Sequence, residues 1–441
     1  MHTLDRREFA VLLAGFLAGK PARELLGRVG VHQGDLRVDG RRLNATLEAL
    51  GRIGRNPATG GINRLAFSEA DLQARNYVAG LMREAGLDVE VDYAGNLVGT
   101  RGGREAAALP IVFGSHIDSV PEGGNYDGPV GALAAVEVAR VLGERGIQLR
   151  HPIEVMVFSN EEGGKTGSRA LIGEVDPKEL SLPTASGRTI GEGIALVGGD
   201  PEKLEQVKRE PGSIKAFLEL HVEQGSVLEQ SRVQIGVVEG IVGIKRWNVT
   251  VEGFANHAGT TPMDARRDAL VAAARFVDLA HRVAKETPGR QVATVGRISA
   301  EPGAPNVIPG RVLFSLEIRD LEMSKIDRIF EQLRAEADAI GRDTGTAFAF
   351  ELFYVSYAAL TDERLRQAIE QAASALELSH MRLPSGAGHD AQSMAKLGPA
   401  GMIFVPSKSG ISHSPLEFTA PEDVVNGANV LLRTIVAVDA M

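Results

Sequence analysis

The chain has 441 residues, 44% of them hydrophobic and 24% charged, and carries a net charge of −9. That length has room for roughly two or three domains with sizeable cores. The negative balance, without a basic stripe interleaved with aromatics, argues against a nucleic-acid binder. The absence of cysteine excludes disulfides, thiolate metal sites and a cysteine nucleophile, so any metal must be held by His, Asp and Glu.

Residues 1–35 read as an N-terminal extension. Asp5-Arg6-Arg7-Glu8-Phe9 precedes a short apolar stretch, Ala10–Ala18. A twin arginine followed by Phe and a short apolar segment resembles a bacterial twin-arginine export signal, which implies a periplasmic protein. No clear small-x-small cleavage site follows. The alternative is an amphipathic N-terminal helix on a cytoplasmic protein. No segment is long enough to cross a membrane as a helix.

The globular pattern starts near Val38. Arg41–Leu50 reads as a helix. Ser68-Glu69-Ala70-Asp71 is a capping box opening a second helix through Ala85, which Gly86 stops. Strands follow near Asp88–Tyr93, Leu97–Thr100 and Leu109–Phe113, then a helix over Val130–Leu142. His151–Ser159 and Ile214–Leu220 are further strands, with Pro201–Lys208 the clearest helix between them. The continuous apolar run Val155–Phe158 belongs to a strand buried on both faces.

The texture changes near Gly240. Gly243–Glu252, Gln291–Ile298, Arg311–Ile318 and Ala347–Tyr354 alternate as half-buried strands. Long helices over Ala265–Lys285 and Met323–Arg342 interrupt them. That pattern suggests an α+β unit with one sheet face covered. After it the α/β texture resumes with a helix over Asp362–Leu376, a strand over Gly401–Val405 and a closing helix over Pro421–Val438. The expected organisation is therefore an extension (1–35), a first domain in two parts (36–240 and 358–441) and an inserted domain (241–357).

Gly114–Gly131 follows an apolar strand and supplies His116, Asp118 and Asp127 on a glycine-rich segment. Chemistry in open α/β sheets sits past the carboxyl ends of strands, and imidazole with carboxylate is a ligand set for divalent metals. Alone, the stretch reads equally as a surface turn rich in Asp and Gly. Other segments shift that balance. Of ten histidines, five (His116, His221, His257, His389 and His413) fall in glycine- or serine-rich loops between regular elements, several beside carboxylates. Glu161 and Glu162 are adjacent at the end of a buried strand. A surface turn would tolerate that pair. In a metal site one can bind a cation while the other acts as general base toward water.

The set GSHIDSV, NYDGPVG, SNEEGG, LHVEQG, NHAGTTPM, PNVIPG, GAGHDA and SHSP resembles the two-metal aminoacylase/carboxypeptidase clan. Within it, the set is similar to the branch of N-carbamoyl-L-amino-acid amidohydrolases, β-ureidopropionases and allantoate amidohydrolases, the hydantoinase/carbamoylase family. The early loop Gly60–Ser68 fits the same branch, and the resemblance runs from about Val38 to the C-terminus.

The resemblance implies an α/β, mixed-sheet, zinc-peptidase-like catalytic domain with an inserted α+β, ferredoxin-like dimerisation domain. It implies two divalent ions per subunit, zinc first, with manganese, cobalt or nickel as alternatives. His116, Asp127, Glu162, His221 and His413 would hold them, with Asp127 bridging. Asp118 would orient His116, and Glu161 would be the general base. In carboxypeptidase relatives a carboxylate often stands where His221 stands here. His257 would reach across a homodimer to stabilise the oxyanion in the partner's site. Asn306 and Arg319 would hold the substrate carboxylate, with Gln224, Gly388 and His389 lining the pocket. Read without the resemblance, Arg319 before Asp320 is a plain surface ion pair. The implied reaction is hydrolysis of the carbamoyl C–N bond of an N-carbamoyl-L-amino acid or related ureido acid. Allantoate hydrolysis, an aminoacylase or dipeptidase acting on an ordinary amide, and a non-catalytic binding protein are the rivals.

Overall fold

The computed structural model describes residues 36–441, so the expected export signal lies outside the described residues. The described chain divides into two compact units. One comprises residues 36–239 with Thr361–Leu383 and His389–Met441. The other comprises Gly240–Leu360 with Pro384–Gly388. The segment 384–388, assigned to the first domain on sequence, is part of the second unit.

The first unit begins with α1 (Gly40–Leu50), capped by the Asp39 side chain, and α2 (Glu69–Glu84). Ser68 accepts from the Asp71 amide as a capping box requires, but the Asp71 carboxylate turns to the Phe67 amide at 2.8 Å. Only half of the expected box forms. Asp71 is buried, with the Arg75 and Arg64 guanidiniums as its nearest opposite charges.

Next come β1 (Asp88–Val91), β2 (Leu97–Arg101), β3 (Ile111–His116), α3 (Pro129–Glu144), β4 (Ile153–Phe158), α4 (Thr166–Leu171), α5 (Ile190–Leu196), β5 (Ala216–Val222), α6 (Val227–Ser231) and β6 (Ile235–Ile241). Pro201–Val207, expected as an α-helix, is a 3₁₀ segment with a non-helical Lys203.

The second unit holds β7 (Gly243–Glu252), β8 (Asn256–His257), α7 (Ala269–Glu286), β9 (Val292–Thr294), β10 (Ile298–Glu301), β11 (Val307–Ile308), β12 (Arg311–Asp320), α8 (Met323–Thr344), β13 (Ala347–Ser356) and β14 (Ala359–Leu360). The helix expected from Ala265 starts four residues later, because Asp268 caps it. The strand expected over 291–298 is two short ones, which pair with different parts of β12. The long strands run in the order β10-β12-β7-β13, all antiparallel. Their alternation puts Val249, Val251, Phe314 and Leu316 under α7 and α8, with Phe276 of α7 fully buried among Phe314, Phe348 and Phe350.

The first unit closes with α9 (Glu363–Ala375), the part of β15 (His380–Ser385) up to Leu383, α10 (Ala391–Met394), β16 (Ala400–Val405) and α11 (Pro421–Asp439). β15, which the sequence reading did not place, pairs with β6. The sheet order is β1-β2-β4-β3-β5-β16-β6. Neighbours among β4, β3, β5 and β16 are parallel, whereas β2 and β6 flank them antiparallel. Every residue of β3, β5 and β16 is buried, as expected of strands covered on both faces. α3 and α11 join the same core. Parallel neighbours send their carboxyl ends to one edge, where the loops of β3, β4, β5 and β16 meet.

Candidate metal centre

His116 is the last residue of β3 and His221 the next to last of β5, so both are strand residues rather than loop residues. Both rings are buried. His116 Nδ1 lies 3.1 Å from the Asp118 carbonyl and His221 Nδ1 2.9 Å from the Val222 carbonyl. A carbonyl oxygen only accepts, so each ring carries its proton on Nδ1 and turns the Nε2 lone pair inward.

Asp127 meets them from the loop before α3. Its Oδ1 is 3.7 Å from His116 Nε2 and 3.2 Å from His221 Nε2. Its Oδ2 is 3.2 Å from Nε2 of His413, which the loop after β16 supplies. Glu162 Oε1 is 3.4 Å from the same His413 nitrogen, and Glu161 Oε2 is 3.8 Å from His116 Nε2. Three groups of potential ligands result among the described residues: His116, Asp127 and His221; Asp127, Glu162 and His413; and Glu219, His221 and His389. The first two share Asp127. Asp127 offers Oδ1 to the histidines of the first group and Oδ2 to His413 of the second.

Local backbone geometry serves this arrangement. Gly128 has φ +83°, and a Cβ there would lie 2.5 Å from the His116 ring. Asn160, Gln224 and His413 adopt left-handed conformations at φ 52°, 57° and 55°. Such non-glycine strain clusters at functional sites. The Asp118 carboxylate accepts the amides of Glu161 (3.3 Å) and Glu162 (3.1 Å), with Oδ1 3.5 Å from His116 Nδ1. It therefore fixes the turn that presents both glutamates. Gln224 donates Nε2 to Asp127 Oδ2 at 2.6 Å.

The electrostatics are those of too many acceptors and too few cations. Burial works against a charged His116, but Glu161, Asp118 and Glu162 outweigh it and hold the ring well above its usual pKa. Burial likewise opposes ionisation of Asp127, yet His221 and His413 hold it well below the usual carboxylate range. Burial pushes Glu161 well up, and pushes Glu162 to about 7 with Asp127 adding repulsion. The hydrogen bond that His413 donates to the Asp127 carboxylate raises His413 to about 9. Inward lone pairs of two histidines face a carboxylate oxygen. A proton or a cation must sit between them, and the donor set of His, Asp and Glu fits a divalent cation.

His389 is buried, its ring centroid 4.4 Å from that of His221, and burial keeps it well below its usual pKa and so neutral. Beneath these rings lies Glu219, which sequence reasoning did not single out. It accepts from Ser115 Oγ at 2.8 Å and the Ala391 amide at 3.1 Å. Also missed were Ser412 and Glu417, which touch Asp127 or its amide. No local signal marked Glu417, because it meets Asp127 across 290 residues of chain.

The remaining candidates lie in the second unit. His257 is exposed, and its Nδ1 accepts from the Gly259 (3.0 Å) and Thr260 (3.2 Å) amides. The neutral ring therefore presents an Nε2–H donor. Pairing of β8 with β11 places Val307 opposite His257 and brings exposed Asn306 beside it, where the Asn306 carbonyl accepts the Ala258 amide. Arg319 pairs with Glu317 at 2.7 Å rather than Asp320, and donates to the Gly386 carbonyl at 2.7 Å. Asp320 binds Lys325 instead. Gly388 ends this unit and is partly buried.

Residues 112–437 match the model of peptidase family M20/M25/M40. The chain belongs to this family, whose members are metal-dependent. More particularly, it is 42% identical over 403 residues to an N-carbamoyl-L-amino acid amidohydrolase of Geobacillus stearothermophilus, covering 90% of this chain and 98% of that protein. It is 34% identical to the allantoate amidohydrolase of Escherichia coli, over 88% and 95% of the two chains. The crystal structure of a hydantoinase/carbamoylase family amidase from Burkholderia multivorans matches with a TM-score of 0.85 and 38% identity, over 92% of this chain and 99% of that one.

Proposed function

We propose that this protein is a metal-dependent amidohydrolase that cleaves the carbamoyl C–N bond of an N-carbamoyl-L-amino acid. The observation that carries the reading is Asp127, whose two oxygens face separate histidine sets. His116, His221 and Asp127 would hold one divalent ion, and His413, Glu162 and Asp127 a second, zinc being the expected metal. When bound, the ions supply Lewis acidity that brings the pKa of water toward about 7 and polarises the carbamoyl oxygen.

Glu161 is the base. Its carboxylate lies at the edge of the ligand set and its turn is pinned by Asp118. It removes a proton from the attacking water as the new C–O bond forms. It then returns that proton to the amino-acid nitrogen as the C–N bond breaks. The products are the free amino acid and carbamate, which decomposes to ammonia and carbon dioxide. His257, with Nε2–H available, serves as oxyanion donor from the partner subunit of a homodimer. Arg319 and Asn306 hold the substrate carboxylate, for which a guanidinium fork is suited. Gln224, Gly388 and His389 are the further residues this reading assigns to substrate binding.

The reading is supported by the family membership and by the higher identity to the N-carbamoyl-L-amino acid enzyme than to the allantoate enzyme. The test is product release from N-carbamoyl-L-amino acids, N-carbamoyl-β-alanine, allantoate and an N-acetyl amino acid, the last followed by free amine. Fastest turnover of an N-carbamoyl-L-amino acid is expected. Allantoate as the best substrate would move the specificity, and activity on the acetyl compound alone would overturn the ureido reading.

A further inference from the structure

Glu417 follows His413 by four residues and is buried. Its Oε1 accepts the amides of Tyr126 at 2.7 Å and Asp127 at 3.0 Å. Its Oε2 lies 2.8 Å from the Ser412 hydroxyl, which is also 2.7 Å from Asp127 Oδ2. The chain makes room for this carboxylate. A Cβ at Gly124 would fall 2.2 Å from Oε1 and 2.4 Å from the Glu417 Cβ.

One side chain thus ties the backbone of the shared ligand to the residue before His413. From this geometry we infer that Glu417 is a positioning residue. It clamps the Asp127 loop to the His413 loop and so keeps the two oxygens of Asp127 aimed at their separate histidine sets. It contacts neither substrate nor metal in this role. A hydroxyl has one hydrogen, so Ser412 serves one carboxylate at a time. Asp127 Oδ2 already receives Gln224 Nε2 at 2.6 Å. When Asp127 is committed to a cation, the Ser412 hydrogen goes to Glu417 and the clamp is complete. This inference rests on the metal reading of the site.

The test compares wild type, Glu417→Ala, Glu417→Gln and Ser412→Ala. Metal affinity of the stripped proteins is measured by competition with a chromogenic zinc chelator, beside kcat, KM and thermal unfolding of the stripped forms. Glu417→Ala should weaken metal binding about tenfold or more, within the range of outer-shell ligand partners. It should lower kcat and leave KM within about threefold. Glu417→Gln should recover most of the affinity, because its amide oxygen still accepts both backbone amides.

Unchanged metal affinity in Glu417→Ala, with only a lower unfolding temperature, would reduce the residue to a fold element and overturn the inference. Equal defects in the Ala and Gln variants would also overturn it, since charge rather than positioning would then matter. Should Glu417→Ala not fold, Ser412→Ala cuts the same clamp at its other end. A clear loss of affinity there supports the clamp, and wild-type affinity overturns it. If wild type itself binds no zinc, the proposed function fails first. If wild type binds and the variants match it, this inference fails alone.

Discussion

Asp118→Asn should damage the site without touching a metal-facing atom. The Asp118 carboxylate is buried and accepts the Glu161 and Glu162 amides at 3.3 and 3.1 Å. An asparagine keeps one acceptor and turns an NH₂ toward the other amide. One charge-assisted bond is lost and one backbone N–H is left unpaired, a loss of about 2–3 kcal/mol. If that loss falls on placement of Glu161 and Glu162, kcat/KM drops about 30- to 150-fold. The assay is steady-state hydrolysis of the best ureido substrate, paired with zinc affinity and with unfolding of the stripped protein. Activity and affinity both within about threefold of wild type, in a folded variant, would refute the claim that Asp118 pins the turn.

Other perturbations follow from the same geometry. Gly128→Ala forces a Cβ to 2.5 Å from the His116 ring and demands a left-handed alanine, so zinc binding should fall sharply; a chelator competition curve matching wild type would contradict this. Phe276→Ala opens a hole among Phe314, Phe348 and Phe350 and should destabilise the second unit by about 3–5 kcal/mol, read by denaturant titration.

Burial raises Asp71 to about 6. An acid whose folded pKa exceeds its unfolded value of about 3.9 binds its proton more tightly when folded, so its contribution favours folding below about 4 and declines up to about 6. Relative to Asp71→Asn, wild type should lose about 3 kcal/mol across that window; a pH-independent difference would refute it. If His257 acts across a dimer, mixing inactive His257→Ala and Glu161→Gln chains should restore about one quarter of wild-type activity. Continued inactivity of a verified mixed dimer would place His257 elsewhere.

The candidate site was legible in the sequence to the extent that its candidate ligands are punctuated by local signals. His116 and His221 each lie at the end of a buried strand, glycines flank Asp127, and Gly163-Gly164 follow the Glu161–Glu162 pair. Burial on both faces of β3, β5 and β16 made those strands readable as continuous apolar segments. What escaped has no local signature. Glu219 meets Ser115 and Ala391 across 104 and 172 residues, and Glu417 meets the Asp127 amide across 290, with only Ser412 nearby in the chain. Arg64, in the early loop Gly60–Ser68, is fully buried and donates Nε to the Ile117 carbonyl at 2.5 Å. β15 reads as a polar stretch because its burial pattern is mostly intermediate. The alternating strand expected over Gln291–Ile298 is only β9 and the first residue of β10, both mostly exposed, with a break at Val295–Arg297 between them.

Glu161 is proposed to work as base beside a divalent ion on a ureido bond. The most direct measurement is ammonia release from an N-carbamoyl-L-amino acid by zinc-loaded wild type, stripped wild type, and zinc-loaded Glu161→Gln of verified metal content. Activity is expected only in the first, with the variant slower by about 10²- to 10⁴-fold. Equal release by the stripped protein, or by the loaded variant, would contradict the account.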